Sequence, residues 1–173
     1  MIQKNEVNCE TYFKNIRMIH GAFIVGLLNF GFVLAVLYFL DIIPLKAEDS
    51  SLAYPLMAGV FIFYGIAFFL GQVLFKRAVR KASDSLRLAD KVIAYRDSKL
   101  LQSALLEGAA LFALTVYMLF GNILMILVAF LSVAYMVKSF PRKTEIIEIF
   151  KLAYNDQQKL NNPKSVLIEQ VTV

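Results

Sequence analysis

Glu107 stands inside an otherwise uncharged apolar stretch, residues 100–120, and has more chemistry to offer than any residue around it. A carboxylate near the centre of a membrane-crossing helix costs about 2.5–3.5 kcal/mol on insertion scales. Such groups face a bundle interior, a polar partner or water, and are candidates for function. In a helix, Glu107 lies roughly 10 Å past the start of its stretch. Ser103, four residues earlier, shares its face and could hydrogen-bond to it. Held away from water, the carboxyl could keep a proton at neutral pH. Three uses remain open: an interhelical hydrogen bond, with Asn29 or His20 as partner; proton or ion handling; and a contact to substrate.

His20 falls near one end of another apolar stretch, where a histidine can relay protons, reach the interface or cap a neighbouring carbonyl. Asn29, deeper in the same stretch, fits helix–helix adhesion better than ligand binding. Gln72 and Thr115 read the same way, and Thr115 can bond its own helix backbone. No enzyme is expected. There is no phosphate-cradling glycine loop, no GxSxG elbow and no acidic pair spaced to hold a divalent metal. One cysteine, Cys9, and one histidine exclude an internal disulfide and any Cys/His metal cage, so neither metal nor cofactor is expected.

The elements that position these residues follow from hydropathy. The 173 residues are 59% hydrophobic and 18% charged, with mean hydropathy +0.64; soluble domains run at about 45–50% and 25%. A helix needs about 20 apolar residues to cross a core of roughly 30 Å. Residues 18–40, 53–75 and 100–120 meet that length, and 123–138 is a shorter run that stops before Pro141. Gly121-Asn122 between the last two suits a tight reversal. The fold expected is all-α: an integral membrane four-helix bundle with amphipathic cytoplasmic helices. No cleavable signal is expected, since the first apolar run follows a polar lead (residues 1–17) and Leu45-Lys46-Ala47 matches a cleavage site poorly. Cys9 has no apolar run before it, as a lipoprotein cysteine would.

Lys and Arg set the orientation. They crowd residues 76–99, the lead (Lys4, Lys14, Arg17) and the exit from the fourth run (Lys138, Arg142, Lys143), whereas residues 41–52 hold only Lys46 among Asp41, Glu48 and Asp49. Four crossings put all three basic regions on one side, and both termini are expected in the cytoplasm. Residues 76–96 read as a basic amphipathic helix with Val79, Ala82, Leu86, Ala89 and Ile93 on one face. It either lies on anionic inner-leaflet lipid or merely extends the second span. Nucleic acid is not an expected partner. Residues 144–160 form a second amphipathic helix, with Ile146, Ile149, Phe150, Ala153 and Tyr154 as its stripe. The segment 164–173 is a tail whose Val166-Leu167-Ile168 either pairs or stays loose.

An internal echo is visible. Ala22, Gly26 and Phe30 recur as Ala104, Gly108 and Phe112 at an 82-residue offset. Two hairpins related by a parallel repeat would produce this. Ala-x-x-x-Gly lets backbones approach closely, so Ala22/Gly26 and Ala104/Gly108 are candidate packing faces.

The run Ala104-Leu105-Leu106-Glu107-Gly108-Ala109-Ala110-Leu111-Phe112, the Gly121-Asn122 turn and the exit Pro141-Arg142-Lys143-Thr144-Glu145 resemble a family of small bacterial four-span inner-membrane proteins. The resemblance covers most of residues 18–152 and implies architecture and a bacterial inner-membrane location without an activity. Glu107 with Leu111-Phe112 is also similar to the carboxylate helix of rotary-ATPase proteolipids. The sparse Gly21, Gly26 and Gly31, and termini on the opposite side, depart from that pattern. The function expected is a non-enzymatic subunit or scaffold, homo-oligomeric or part of a membrane complex. The alternative is a proton- or ion-handling protein that uses Glu107.

Overall fold

The structure, a computed structural model, describes residues 3–42 and 51–172; most of the acidic loop 41–52, with Lys46, Glu48 and Asp49, and the tripeptide 45–47 lie outside these. The elements in order are β1 (Gln3–Asn8), α1 (Cys9–Phe39), α2 (Ala53–Ser83), α3 (Leu88–Phe120), α4 (Ile123–Lys138), α5 (Lys143–Phe150), α6 (Tyr154–Asn161) and β2 (Val166–Thr172). Apart from the two short strands the protein is helical. Helices α1, α2 and α3 are long and apolar enough to cross a membrane, and α4 taken with α5 raises the number to four.

The chain divides into two compact units. One comprises residues 21–72 and 102–139. Its side chains sort by helix face. Leu27, Leu34, Leu106, Ala110, Leu114, Ala129 and Met136 bury together, and Val60, Ala113, Val116, Met125 and Val128 form a second core. Late α3 residues share a core with early α4 residues, so the two helices run antiparallel. Their reversal is at Gly121, whose φ of 65° is costly for a residue with a Cβ. Asn122 then caps α4 by accepting from the Leu124 amide at 2.9 Å. Large apolar groups such as Phe32, Phe39, Ile62, Phe69 and Phe130 point outward. A surface of that kind matches hydrocarbon rather than water. Only 11% and 17% of the apolar windows of α1 and α2 are buried, against 39% for α3, so α3 is the most enclosed of the three.

The other unit comprises residues 1–20, 73–101 and 140–173. Cys9, Tyr12 and Ile16 of α1, Val92 and Tyr95 of α3, Ile146 and Phe150 of α5, and Leu160, Leu167 and Ile168 form its core. The polar lead and the tail, whose pairing the sequence left open, come together here. β1 and β2 pair antiparallel from Gln3↔Thr172 to Asn8↔Val166, with an irregularity between Val7 and Asn8. Val166-Leu167-Ile168 thus pairs within the chain. The ribbon continues as Cys9 N–H donates to Ser165 O at 2.9 Å and Glu10 N–H to Pro163 O at 3.2 Å.

Both amphipathic helices expected outside the spans are broken in two. Over 76–96, α2 ends at Ser83 and α3 begins at Leu88. Ser85 explains the break: its hydroxyl accepts from the Arg87 amide at 3.2 Å and donates to Asp90 at 2.6 Å. Serine side chains compete with helical backbone bonds in this way. Leu86, expected on the apolar face, sits in the turn and is 97% exposed. Over 144–160, Lys151 is left-handed (φ 45°, ψ 52°) and separates α5 from α6. Leu152 N–H returns to Ile147 O at 3.2 Å and its side chain is buried. Ile146 and Phe150 face the core as expected, whereas Ala153 and Tyr154 are exposed.

Candidate functional site

Of the polar candidates in the apolar runs, Glu107, Ser103 and Asn29 fall in the first unit. Glu107, on α3, is half-buried. Its Oε1 would stand 3.4 Å from a Cβ placed on Gly26, so the carboxylate packs over the α1 backbone at its small residue. Gly108 has nothing within 4 Å of such a Cβ. Gly26 therefore meets Glu107, while Ala22, Ala104 and Gly108 lie exposed beside them. Asn29, one turn beyond Gly26, is also exposed. Among the described residues neither Asn29 nor Glu107 makes a hydrogen bond or ion pair. The bonds anticipated from Ser103, Asn29 or His20 to Glu107 are not formed; Ser103 is itself buried.

His20 belongs to the second unit. It is fully buried, and its ring meets Phe140 edge-on at 5.3 Å between centroids. It is thus enclosed by protein rather than reaching toward an interface.

A polar junction that sequence reading missed centres on Tyr135 of α4. Gln72 of α2 donates to its hydroxyl, and so does Gln102 of α3, at 3.2 Å. Gly71 permits this packing: a Cβ there would meet Gln102 Cγ at 3.2 Å. Gln72 does act as an interhelical bridge, as anticipated, but its partner is a tyrosine. The signal was present as three amide or phenol groups in apolar runs, although nothing in their spacing pairs them. Thr115 donates to Leu111 O at 2.9 Å, the local bond foreseen for it.

The second unit contains a tighter cluster. Lys99 is buried, with its Nζ 2.6 Å from Glu145 Oε1 and 5.3 and 5.7 Å from the Phe75 and Tyr95 ring centroids. Tyr95 donates its hydroxyl to the other oxygen of Glu145. Burial, and then the neighbouring Glu145, push the Tyr95 phenol far above its ordinary pKa. Tyr12 donates to Val92 O at 2.5 Å, and burial raises its phenol likewise. Arg17 Nε donates to Pro141 O at 3.2 Å. Every member of this cluster is engaged with another, which marks it as a clasp between α1, α3 and α5 rather than an open site. Among the described residues no three His, Cys, Asp or Glu side chains converge as metal ligands would.

Comparison with known protein families, with curated proteins and with solved structures finds no match.

Proposed function

We propose that this protein is a non-enzymatic, four-span bundle of a bacterial inner membrane that works as a subunit or scaffold by self-association through one face of α1 and α3. The observation that carries this reading is the pair of partnerless polar groups, Asn29 and Glu107, set among exposed Ala22, Gly26, Ala104 and Gly108. A polar group against lipid costs free energy that a partner recovers. Small residues around it let a second backbone approach closely enough to supply that partner. A second copy brings the same surface, so Asn29 of one chain can meet Glu107 of another across a two-fold axis.

Size distribution in detergent and energy transfer between labelled copies in vesicles test the reading. The parent should be dimeric or larger. Gly108→Leu, which meets no internal clash, and Ala104→Leu should shift it toward monomer by at least tenfold in dissociation constant, about 1.4 kcal/mol. Glu107→Gln should keep the association and Glu107→Ala weaken it. A parent that remains monomeric, or leucine variants that associate as the parent does, would sink the proposal.

The same half-exposed carboxylate supports a second reading, in which Glu107 passes a proton or cation along the α1/α3 face. Glu107→Gln should then abolish a flux measured in liposomes while leaving the helices intact. No flux in the parent removes this reading.

A further inference from the structure

Where α2 leaves its apolar run and α3 enters its own, the two helices enclose a groove that none of the above uses. It has a volume of about 470 Å³ and opens to the surface. Ala78 and Ala94 keep it open, Leu74 and Leu101 give it an apolar end, and Arg77, Lys81, Asp97 and Ser98 are its polar lining. A second recess of about 360 Å³ shares Ala78, Lys81 and Ala94 and runs on to Ser85 and Asp90.

Charge decides what such a groove accepts. Its two acids already have cations. Asp97 is 2.8 Å from Arg96 Nε, and Asp90 is held by Arg87 at 2.7 and 3.1 Å. Arg77 and Lys81 are one helical turn apart and, among the described residues, make no ion pair. Two uncompensated cations therefore face a cleft whose other end is leucine. Ser98 spends its hydroxyl on Ala94 O at 2.6 Å and adds no donor. Leu101 and neighbouring Val73 are exposed and prolong the apolar end toward the spans.

We propose that this groove binds the headgroup of one anionic phospholipid, with Arg77 and Lys81 on the phosphate and an acyl chain against Leu74 and Leu101. The inference rests on the reading that α2 and α3 cross a membrane, since it sets the groove at headgroup depth, just past Phe75 and just before Leu100. Cations placed there attract anionic lipid. The groove adds a shaped recess for one molecule, which a merely basic surface lacks.

The chain has no tryptophan, so Val73→Trp, at an exposed position beside the groove, supplies a single fluorescent probe without filling it. The full-length variant is placed in bilayers mixing phosphatidylcholine and phosphatidylglycerol, with brominated chains on only one of the two. Brominated phosphatidylglycerol should quench with a relative binding constant roughly tenfold higher. Arg77→Gln with Lys81→Gln should remove that preference. So should Ala78→Leu, which fills the groove and leaves every charge in place. Lys76→Gln with Arg80→Gln, outside the groove, should retain it. Equal quenching by both lipids overturns the site while the membrane placement stands; quenching by neither overturns both. Loss of preference in the Lys76/Arg80 variant, or its retention in Ala78→Leu, assigns the effect to general surface charge. Displacement by soluble glycerol phosphate assigns it to free phosphate. Either result overturns the lipid site.

Discussion

Lys99 carries the largest electrostatic stake of any single residue in the second unit. Its side chain is 4% exposed, while that of Glu145 is 29% exposed. Removing one partner of a buried pair typically costs about 3–5 kcal/mol, because the other charge stays desolvated. Partial exposure of Glu145 places this case near the lower end. Glu145→Gln should therefore lower the melting temperature in detergent by several degrees. Lys99→Met combined with Glu145→Gln should recover part of the loss, because the stranded charge is gone. A double variant no better than the single one would show that the pair is not coupled. The tyrosines add a pH dependence. The folded-state pKa values of Tyr12 and Tyr95 are raised, so folding holds their phenols protonated. Their contribution is full below the unfolded value of about 10 and is lost as pH rises beyond it. Alkaline titration followed at 295 nm checks this. Tyr12 and Tyr95 should ionise only with unfolding, and Tyr12→Phe should make that unfolding less steep in pH.

The breaks at Ser85 and Lys151 separate what periodicity can reveal from what it cannot. The three long apolar helices were legible because lipid demands about 20 apolar residues, a requirement that 18–40, 53–75 and 100–120 each meet alone. Gly121-Asn122 was legible because positive φ selects glycine, here at Gly121, and a helix start selects asparagine, here the Asn122 cap. Lys151 gives no such signal. A left-handed non-glycine residue costs roughly 1–2 kcal/mol, and here the burial of Phe150 and Leu152 against distant segments outweighs it. The core of the second unit was illegible for the same reason. Tyr12, Tyr95, Ile146 and Leu167 come from four separated stretches, and no local pattern joins them. At the polar site, Glu107 was conspicuous as a lone charge, but its seat over Gly26 and the Gln72–Tyr135–Gln102 junction depend on helix rotation. Strain at Lys151 leads to a direct test. Its side chain is exposed, so Lys151→Gly should raise stability by about 1 kcal/mol, read as a higher melting temperature. Lys151→Val should lower it, since a branched Cβ fits that conformation worst. A destabilised glycine variant would mean that the unfolded-state entropy of glycine outweighs the relief.

The way the chain returns to one unit constrains how many times it crosses a membrane. The segments 1–20, 73–101 and 140–173 pack as one body, and β1 pairs with β2, so the chain's two ends meet. A body built from both ends cannot be divided by a bilayer, so the number of crossings between those ends is even. If α1, α2 and α3, each long and apolar enough, all cross, parity would require a fourth crossing, which the four-span reading proposed above gives to α4. Its 16 residues rise about 24 Å, short of a 30 Å core. The shortfall can be met by local thinning of the bilayer. Lys138 marks one end of α4 and the Gly121-Asn122 turn the other. On the four-span reading proposed above, the positive-inside rule would put the termini and the Ser83–Leu88 turn in the cytoplasm, opposite Gly121-Asn122. Cysteines introduced singly at Leu86 and Asn122, with Cys9→Ser as background, decide the matter with a membrane-impermeant thiol reagent on intact cells. Position 122 should label from outside, whereas position 86 and a terminal tag should react only after the membrane is opened. Labelling of 86 and 122 from the same side would mean that α4 does not cross, and the four-span reading would fall with it.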